Sequence, residues 1–278
     1  MKQKNNTPTT LFNHLQPAIA GALCLTAYFP TLIWMWDRWF ARDSYYSHGI
    51  LVPLVTIFLI WQKKEQLKET PYEESPWGIR LIVLGIIIHL ISSLLRVYFT
   101  SGFSLLIVIA GIINYFYGKK VLHIIIFPIA FLFFMMPLPL VVITNISFQL
   151  KILAAQIATF LLNEMRIPAI REGSIIKMRS VYVIVDDVCS GLRSLISLAA
   201  LGSIFAYWMK GSLNKKVLLF LSTIPIAVIT NVVRVIFLSA VSEIWGLKYA
   251  DGLVHDISGF LVFGLAFILL YAVAKLLE

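Results

Sequence analysis

The sequence predicts an all-α polytopic membrane protein with about eight transmembrane helices, an interfacial helix and a short periplasmic β-hairpin. Of the 278 residues, 59% are hydrophobic and only 13% are charged. The mean hydropathy of +0.87 is too high for a soluble domain of this length. Apolar runs of about 20 residues, the length that crosses the hydrocarbon core of a bilayer, recur along the chain. We therefore expect one membrane domain over residues 1–278.

Eight apolar periodic runs are interpreted as crossings, and a further apolar segment is ambiguous. The eight runs lie at roughly 17–36, 46–62, 77–95, 101–118, 121–136, 188–209, 217–243 and 256–275. The segment 140–162 is interrupted by Asn145, Gln149 and Lys151, so it is a ninth span, a re-entrant helix or an interfacial helix. No small-residue cleavage site follows the first run, which we expect to be an anchor and not a removed signal peptide.

Lysines between the runs indicate the orientation. Cytoplasmic loops of membrane proteins are enriched in basic residues. A full crossing by 140–162 would place the lysines at 210–216 outside, so the pattern favours an interfacial helix, a cytoplasmic tail at 1–16 and both termini in the cytoplasm. The lysines that mark the cytoplasmic side are Lys2, Lys4, Lys63, Lys64, Lys68, Lys119, Lys120, Lys210, Lys215, Lys216 and Lys275.

The stretch at 163–187 is predicted to be a hairpin loop on the outer side. Alternating segments such as Ile175–Met178 and Val181–Val185, with Gly173 and Ser174 before them, are typical of a β-hairpin. Its basic residues would lie on the outer side, which is an exception to the enrichment of basic residues in the cytoplasmic loops. They belong either to a solvated or headgroup-contacting loop or to a site for an acidic substrate. These residues are Arg166, Arg171, Lys177 and Arg179.

Cys189 opens the sixth run, at the outer end of a helix. A helix N-terminus favours a thiolate, although the negative charges of Asp186 and Asp187 oppose it and require a positive group nearby. Arg193 lies four residues later on the same helical face. Arg234 lies near the outer end of the seventh run, where it is either functional or one half of a structural ion pair with a residue such as Glu243.

Of the five histidines, only His48 and His255 are expected at the outer ends of helices. A lone histidine there is more often a cap or an interfacial residue than a catalyst. Cys189, Arg234 and His255, however, belong to three different helices and reach one side at a similar depth. Such a set suits nucleophilic catalysis, with Cys189 as the acyl acceptor, His255 moving a proton and Arg234 stabilising a thiolate or an oxyanion.

Five ordered motifs resemble the exosortase/archaeosortase family of membrane cysteine transpeptidases. The resemblance implies the catalytic residues Cys189, Arg234 and His255. Because the archaeal branch carries arginine at the position of His255, it also implies the bacterial exosortases and the inner membrane, with an active site near the periplasmic face. The motifs are Tyr46-Ser47-His48-Gly49-Ile50-Leu51-Val52-Pro53, Phe127-Pro128 to Met136-Pro137-Leu138-Pro139, Cys189-Ser190-Gly191-Leu192-Arg193-Ser194, Asn231-Val232-Val233-Arg234 and His255-Asp256-Ile257-Ser258-Gly259.

The family's substrates are exported proteins with a C-terminal recognition motif such as Pro-Glu-Pro, one transmembrane helix and a basic cluster. The resemblance implies cleavage near the motif, an acyl-thioester on Cys189 and transfer to an envelope acceptor, with the extracellular polysaccharide machinery as a further partner. Arginines suit the motif's carboxylate because the guanidinium offers a matching fork. The candidate substrate-binding residues are Arg193, Asn231, His48, Arg171, Arg179 and Arg166.

Two other classes of function remain as alternatives. A transporter, or a scaffold for envelope polysaccharide export, would also have buried polar residues but would not depend on Cys189. A different intramembrane hydrolase is not supported by the sequence. It has neither the His-Glu-x-x-His motif of zinc proteases nor the Gly-x-Ser-x-Gly motif of serine hydrolases. Scattered basic residues do not indicate nucleic-acid binding, and we expect no metal or organic cofactor.

Overall fold

The structure of the chain is a computed structural model that describes residues 9–42, 44–186, 190–250 and 252–278. The chain divides into two compact units, one that ends at Pro137 and one that begins at Leu138. The helices of the first unit are α1 (Thr9–Ala27), α2 (Phe29–Trp39), α3 (Leu51–Gln62), α4 (Lys64–Glu69), α5 (Trp77–Leu94) and α6 (Tyr98–Phe131), followed by a 3₁₀ turn at Leu132–Met135.

The first two helices form one bent element. Leu15–Ala27 and Phe29–Trp39 meet at an angle of 63°. Pro30 stands in the first turn of α2, where its missing N–H and its ring prevent the helix from continuing straight through. The bend is held by buried polar contacts: the hydroxyls of Tyr28 and Ser104 lie 2.8 Å apart, and those of Thr31 and Ser101 2.6 Å apart. Hydrogen bonds of this kind tie helices together where lipid offers no competing partner.

Helix α6 is broken at Gly118. This residue has φ 87° and ψ 173°, so the backbone leaves the helical conformation between the two apolar stretches that the sequence assigned to 101–118 and 121–136. A Cβ atom at this position would collide with the carbonyl oxygen of Glu73. Glycine therefore meets two requirements here, a left-handed φ and a close approach of backbone.

The second unit is built around one long helix. Its elements are α7 (Leu140–Glu164), β1 (Ala169–Glu172), β2 (Ile175–Met178), β3 (Tyr182–Ile184), α8 (Leu192–Trp208), α9 (Leu213–Trp245), α10 (Leu247–Ala250) and α11 (Leu253–Leu277). Helix α9 packs against α7, α8 and α11. Leu198, Leu219 and Leu270 are fully buried where α8, α9 and α11 meet.

The three strands form an antiparallel sheet in the order β1-β2-β3. One face is buried: Ile176 and Val185 pack with Ala154 and Ala158 of α7 and with Val232 of α9. The predicted hairpin is therefore present. It is extended by a further strand, β1, whose residues Arg171 and Glu172 pair with Ile176 and Ile175 of β2.

The prediction of eight crossings is not confirmed. In the described part of the chain, five helices are long and apolar enough to cross a membrane, or six if the bent pair α1–α2 counts as one span. The predicted runs 46–62 and 188–209 form helices of only 12 and 17 residues, and the runs 101–118 and 121–136 together count as one candidate, Tyr98–Met135. The ambiguous segment is an uninterrupted helix of 25 residues, itself a candidate span.

Asn163 links the end of α7 to the sheet, and this link is testable. Its side-chain amide donates to the carbonyl of Ala169 and accepts from the Ala169 N–H, both at 2.9 Å. We expect Asn163→Ala to cost about 1–2 kcal/mol, because the β1 edge loses both bonds. This loss raises the rate of tryptic cleavage within the sheet about five- to thirty-fold when cleavage follows local opening.

The matched control is Asn214→Ala, which truncates an exposed asparagine in the first turn of α9. Equal cleavage rates for the two variants in detergent, measured by gel after addition of trypsin, would show that the amide contacts do not stabilise the sheet.

Candidate functional site

Arg234 of α9 contacts the first turns of α11. Its Nε donates to the Ser258 hydroxyl at 3.1 Å, and its Nη2 donates to the His255 ring Nε2 and to the His255 carbonyl, each at 3.2 Å. Gly259 lies beside the guanidinium, and a Cβ there would be 3.4 Å from Nη2, an ordinary van der Waals contact. The sequence-predicted pair Arg234 and His255 is thus brought together by two helices that pack side by side.

The contact with Arg234 constrains which nitrogen of the His255 ring accepts a hydrogen bond. Arginine has donors and no acceptor, so the Nε2 atom that meets Nη2 must carry a lone pair. The tautomer with its proton on Nδ1 satisfies this contact. In the described part of the chain the hydrogen bonds of Arg234 use Nε and Nη2, which leaves Nη1 as the group that can meet a negative charge.

Ser258 is a site residue that the sequence reasoning missed. It is 3% exposed, and its hydroxyl accepts from Arg234 while donating to the His255 carbonyl at 2.7 Å. The signal was present in the sequence, because a serine three residues after His255 on a helix shares its face. The alternative partner for Arg234, Glu243, instead accepts hydrogen bonds from the Ser180 N–H at 3.2 and 3.3 Å.

The segment that follows Cys189 packs against the same long helix. Gly191, the N-cap of α8, has φ 80°, and a Cβ there would lie 2.8 Å from Cγ of Asn231. Ser190 is 2% exposed. Asn231 precedes Arg234 by three residues, so it lies about one helical turn away on the same face. Cys189 itself, with Asp187 and Val188, lies outside the described residues.

Arg193 is half-buried in the first turn of α8. Its Nε is buried and has no hydrogen-bond partner among the residues that the structure describes. Since an unmet buried donor costs about 1–3 kcal/mol, this nitrogen is available to an acceptor that is not part of the described chain.

The three arginines of the loop do not join this group through any hydrogen bond in the described residues. Arg166 has φ 64° and ends α7, donating its N–H to the Asn163 carbonyl at 3.0 Å. Arg171 is exposed on β1 and donates to the Gly173 carbonyl at 2.9 Å, while Arg179 is exposed in the turn between β2 and β3. Their candidate role in substrate binding stays a prediction.

His48 lies in the first unit, in the turn at residues 45–50 that precedes α3. Its ring stacks on Tyr46 with the centroids 5.9 Å apart. Burial lowers the pKa of His48, and a hydrogen bond with the backbone of Phe134 partly opposes this. His48 is thus kept largely neutral, and its candidate role at the substrate site stays a prediction.

An apolar cleft adjoins Arg234 between α9 and α11. It has a volume of about 200 Å³ and is lined by Val233, Phe237, Leu261, Val262 and Leu265, with Arg234 and Ser258 at one side. Among the described residues, no group of three or more His, Cys, Asp or Glu side chains could hold a metal ion. The arrangement therefore offers a cation, an imidazole and an apolar wall.

The close contact between Gly191 and Asn231 is testable by a pair of glycine substitutions. Gly191 and Gly173 both have positive φ, at 80° and 62°, but only Gly191 has a neighbour within 4 Å of a built Cβ. Both alanine variants carry the cost of a left-handed residue, about 1–2 kcal/mol. We expect Gly191→Ala to cost about 1–3 kcal/mol more than Gly173→Ala, because the methyl group displaces Asn231. Thermal unfolding in detergent measures the difference, and equal losses would contradict the contact.

Comparison with known proteins identifies the family of the chain. A family model described as transmembrane exosortase (Exosortase_EpsH) matches residues 36–272. No curated protein and no solved structure matches the chain significantly. The match covers more than half of the chain and includes Arg193, Asn231, Arg234 and His255. This protein belongs to the transmembrane exosortase family.

Proposed function

We propose that this chain is a membrane cysteine transpeptidase that cleaves the C-terminal sorting signal of exported proteins and passes them to an envelope acceptor. The observation that carries the proposal is the contact between Arg234 of α9 and His255 of α11. In addition, Asn231 of α9 lies beside Gly191, which follows Cys189 by two residues. Membership of the exosortase family supports it. Placing an arginine within an apolar helix costs free energy, so such a residue is by default a candidate for function.

The proposed reaction has two halves. The thiolate of Cys189 attacks the scissile carbonyl carbon, and Nη1 of Arg234 stabilises the oxyanion that forms. The C–N bond then breaks, the leaving amine takes a proton from the imidazolium of His255, and an acyl-thioester remains on Cys189. An acceptor nucleophile gives its proton to His255, attacks the thioester and releases the thiol.

His255 has to receive its proton from the thiol before the first half. While the ring is neutral, its Nε2 accepts a hydrogen bond from Nη2 of Arg234. Protonation at Nε2 breaks this bond and frees the guanidinium to turn toward the developing negative charge. The bond to Ser258 keeps the guanidinium on α11 during this movement. Arg234 thereby acts as an electrostatic group and not as a proton donor.

The substrate we propose is an exported protein with a recognition motif, one transmembrane helix and a C-terminal basic cluster. The apolar cleft between α9 and α11 offers a wall for such a helix beside Arg234. We place the chain in a bacterial inner membrane with the sheet and Arg234 toward the periplasm and both termini in the cytoplasm. This orientation follows from the lysine clusters when α7 lies at the interface and does not cross fully.

The requirement for the thiol is tested with the two cysteines of the chain. An epitope-tagged reporter with the three-part C-terminal tail is co-expressed with the wild type, with Cys189→Ala or with Cys24→Ala. We expect the shorter reporter on an immunoblot with the wild type and with Cys24→Ala, because Cys24 lies within helix α1 and takes no part in the reaction. Cys189→Ala should abolish it. Equal processing by Cys189→Ala would favour the transporter or scaffold.

The proposed orientation is tested by labelling single cysteines in a Cys24→Ala, Cys189→Ala background. Ser180 and Ser212 are both exposed, one in the turn after β2 and the other before α9. A membrane-impermeant maleimide should label Ser180→Cys in cells with a permeabilised outer membrane, and Ser212→Cys only after lysis. The opposite pattern would invert the proposed topology.

A further inference from the structure

The two edges of the three-stranded sheet differ in their hydrogen bonding. On β1, both outward-facing backbone groups of Ala169 are bound by the side-chain amide of Asn163. Proteins commonly cover an edge in this way, because an open edge is a template for another strand. On β3, the opposite edge, the described residues provide no such cover.

The register shows which groups of β3 face outward. The Val185 N–H donates to the Ser174 carbonyl at 2.9 Å, and the Met178 N–H donates to the Val181 carbonyl at 2.8 Å. Antiparallel pairs alternate between bonded and non-bonded, so Val183, which pairs with Ile176, lies in a bonded pair. Tyr182 and Ile184 therefore turn their N–H and C=O away from β2.

These outward groups are accessible. Among the described residues, no hydrogen bond outside the sheet ladder reaches the backbone of Tyr182 or Ile184. Their side chains are 59% and 55% exposed, whereas Ile176 on the other face is fully buried against α7 and α9. The sheet is thus anchored through its buried face, while the edge formed by β3 has free backbone groups among the described residues.

The open strand leads directly to the proposed nucleophile. β3 ends at Ile184, and Cys189 follows five residues later. Five extended residues span at most about 18 Å. The Cα atoms of Ile184 and Cys189 therefore lie no farther apart than this, which is the length of five residues of an extended peptide.

We propose that the free edge of β3 binds an extended stretch of the substrate polypeptide as a fourth strand and presents it to Cys189. The inference rests on the proposed function. Tyr182 and Ile184 offer two N–H and two C=O groups about 6.8 Å apart, the spacing that the backbone of an extended peptide shares. A lipid headgroup or a free anion does not match alternating donors and acceptors, whereas strand addition to an open edge is a known mode of peptide recognition.

A photo-crosslinker tests the position of the peptide. Benzoylphenylalanine replaces Tyr182 in the full-length Cys189→Ala chain, co-expressed with the tagged reporter. The control places it at Ile170, which is 69% exposed and shares the face of Tyr182 two strands away. With strands about 4.8 Å apart, position 170 is roughly 10 Å farther from a fourth strand on β3. We expect a reporter adduct from position 182 at several times the yield from position 170. Equal yields, or none from 182, would overturn the proposal.

A backbone substitution tests the hydrogen bonds. Ile184→Pro removes one outward N–H and leaves the ladder bonds to β2, while Ile184→Ala removes only the side chain. We expect Ile184→Pro to process the reporter about five- to ten-fold more slowly than Ile184→Ala, the effect of one hydrogen bond. Equal rates at equal membrane levels would overturn strand addition.

The outcomes separate this proposal from the proposed function. If the wild type shortens the reporter but the adduct from position 182 is missing and both Ile184 variants behave alike, the enzyme stands and the docking strand is wrong. If the wild type leaves the reporter intact, the proposed function fails, and the docking proposal falls with it.

Discussion

The guanidinium of Arg234 lies inside an apolar helix, and the arrangement of the second unit depends on meeting its hydrogen bonds. A charged group in hydrocarbon is costly unless it is paired or hydrated. The His255 ring, the His255 carbonyl and the Ser258 hydroxyl meet this demand from a single helix. These bonds link α11 to α9 at this level, so the structural requirement and the proposed chemistry rest on the same atoms.

Helix α9 carries the other parts of the site along its length. Val232 and Val235 pack into the core that supports the sheet, while Asn231 lies against Gly191 and Arg234 against α11. Glu243 near its end accepts from the Ser180 N–H in the turn before β3. One helix therefore contacts Gly191 after Cys189, carries the guanidinium of Arg234 and binds the turn before β3. Such an arrangement suits a site held in fixed geometry.

The membrane class, the hairpin and the pairing of Arg234 with His255 could be predicted from the sequence, because hydropathy, alternation and depth along a helix are local properties. The number of crossings could not. A run such as 46–62 is mostly apolar, yet its first residues form a turn and only Leu51–Gln62 is helical. Ser258 and the capping of Ala169 by Asn163 depend on tertiary contacts, which periodicity does not encode.

The capped edge of β1 also limits how copies of this chain can associate. A sheet with two open edges can grow without end, as each added molecule presents a new edge. Here Asn163 already binds the outward N–H and C=O of Ala169, so among the described residues β1 offers a neighbouring chain fewer free backbone groups than β3 does. Growth of the sheet through β1 is thereby disfavoured, which is useful for a protein confined to the plane of a crowded membrane.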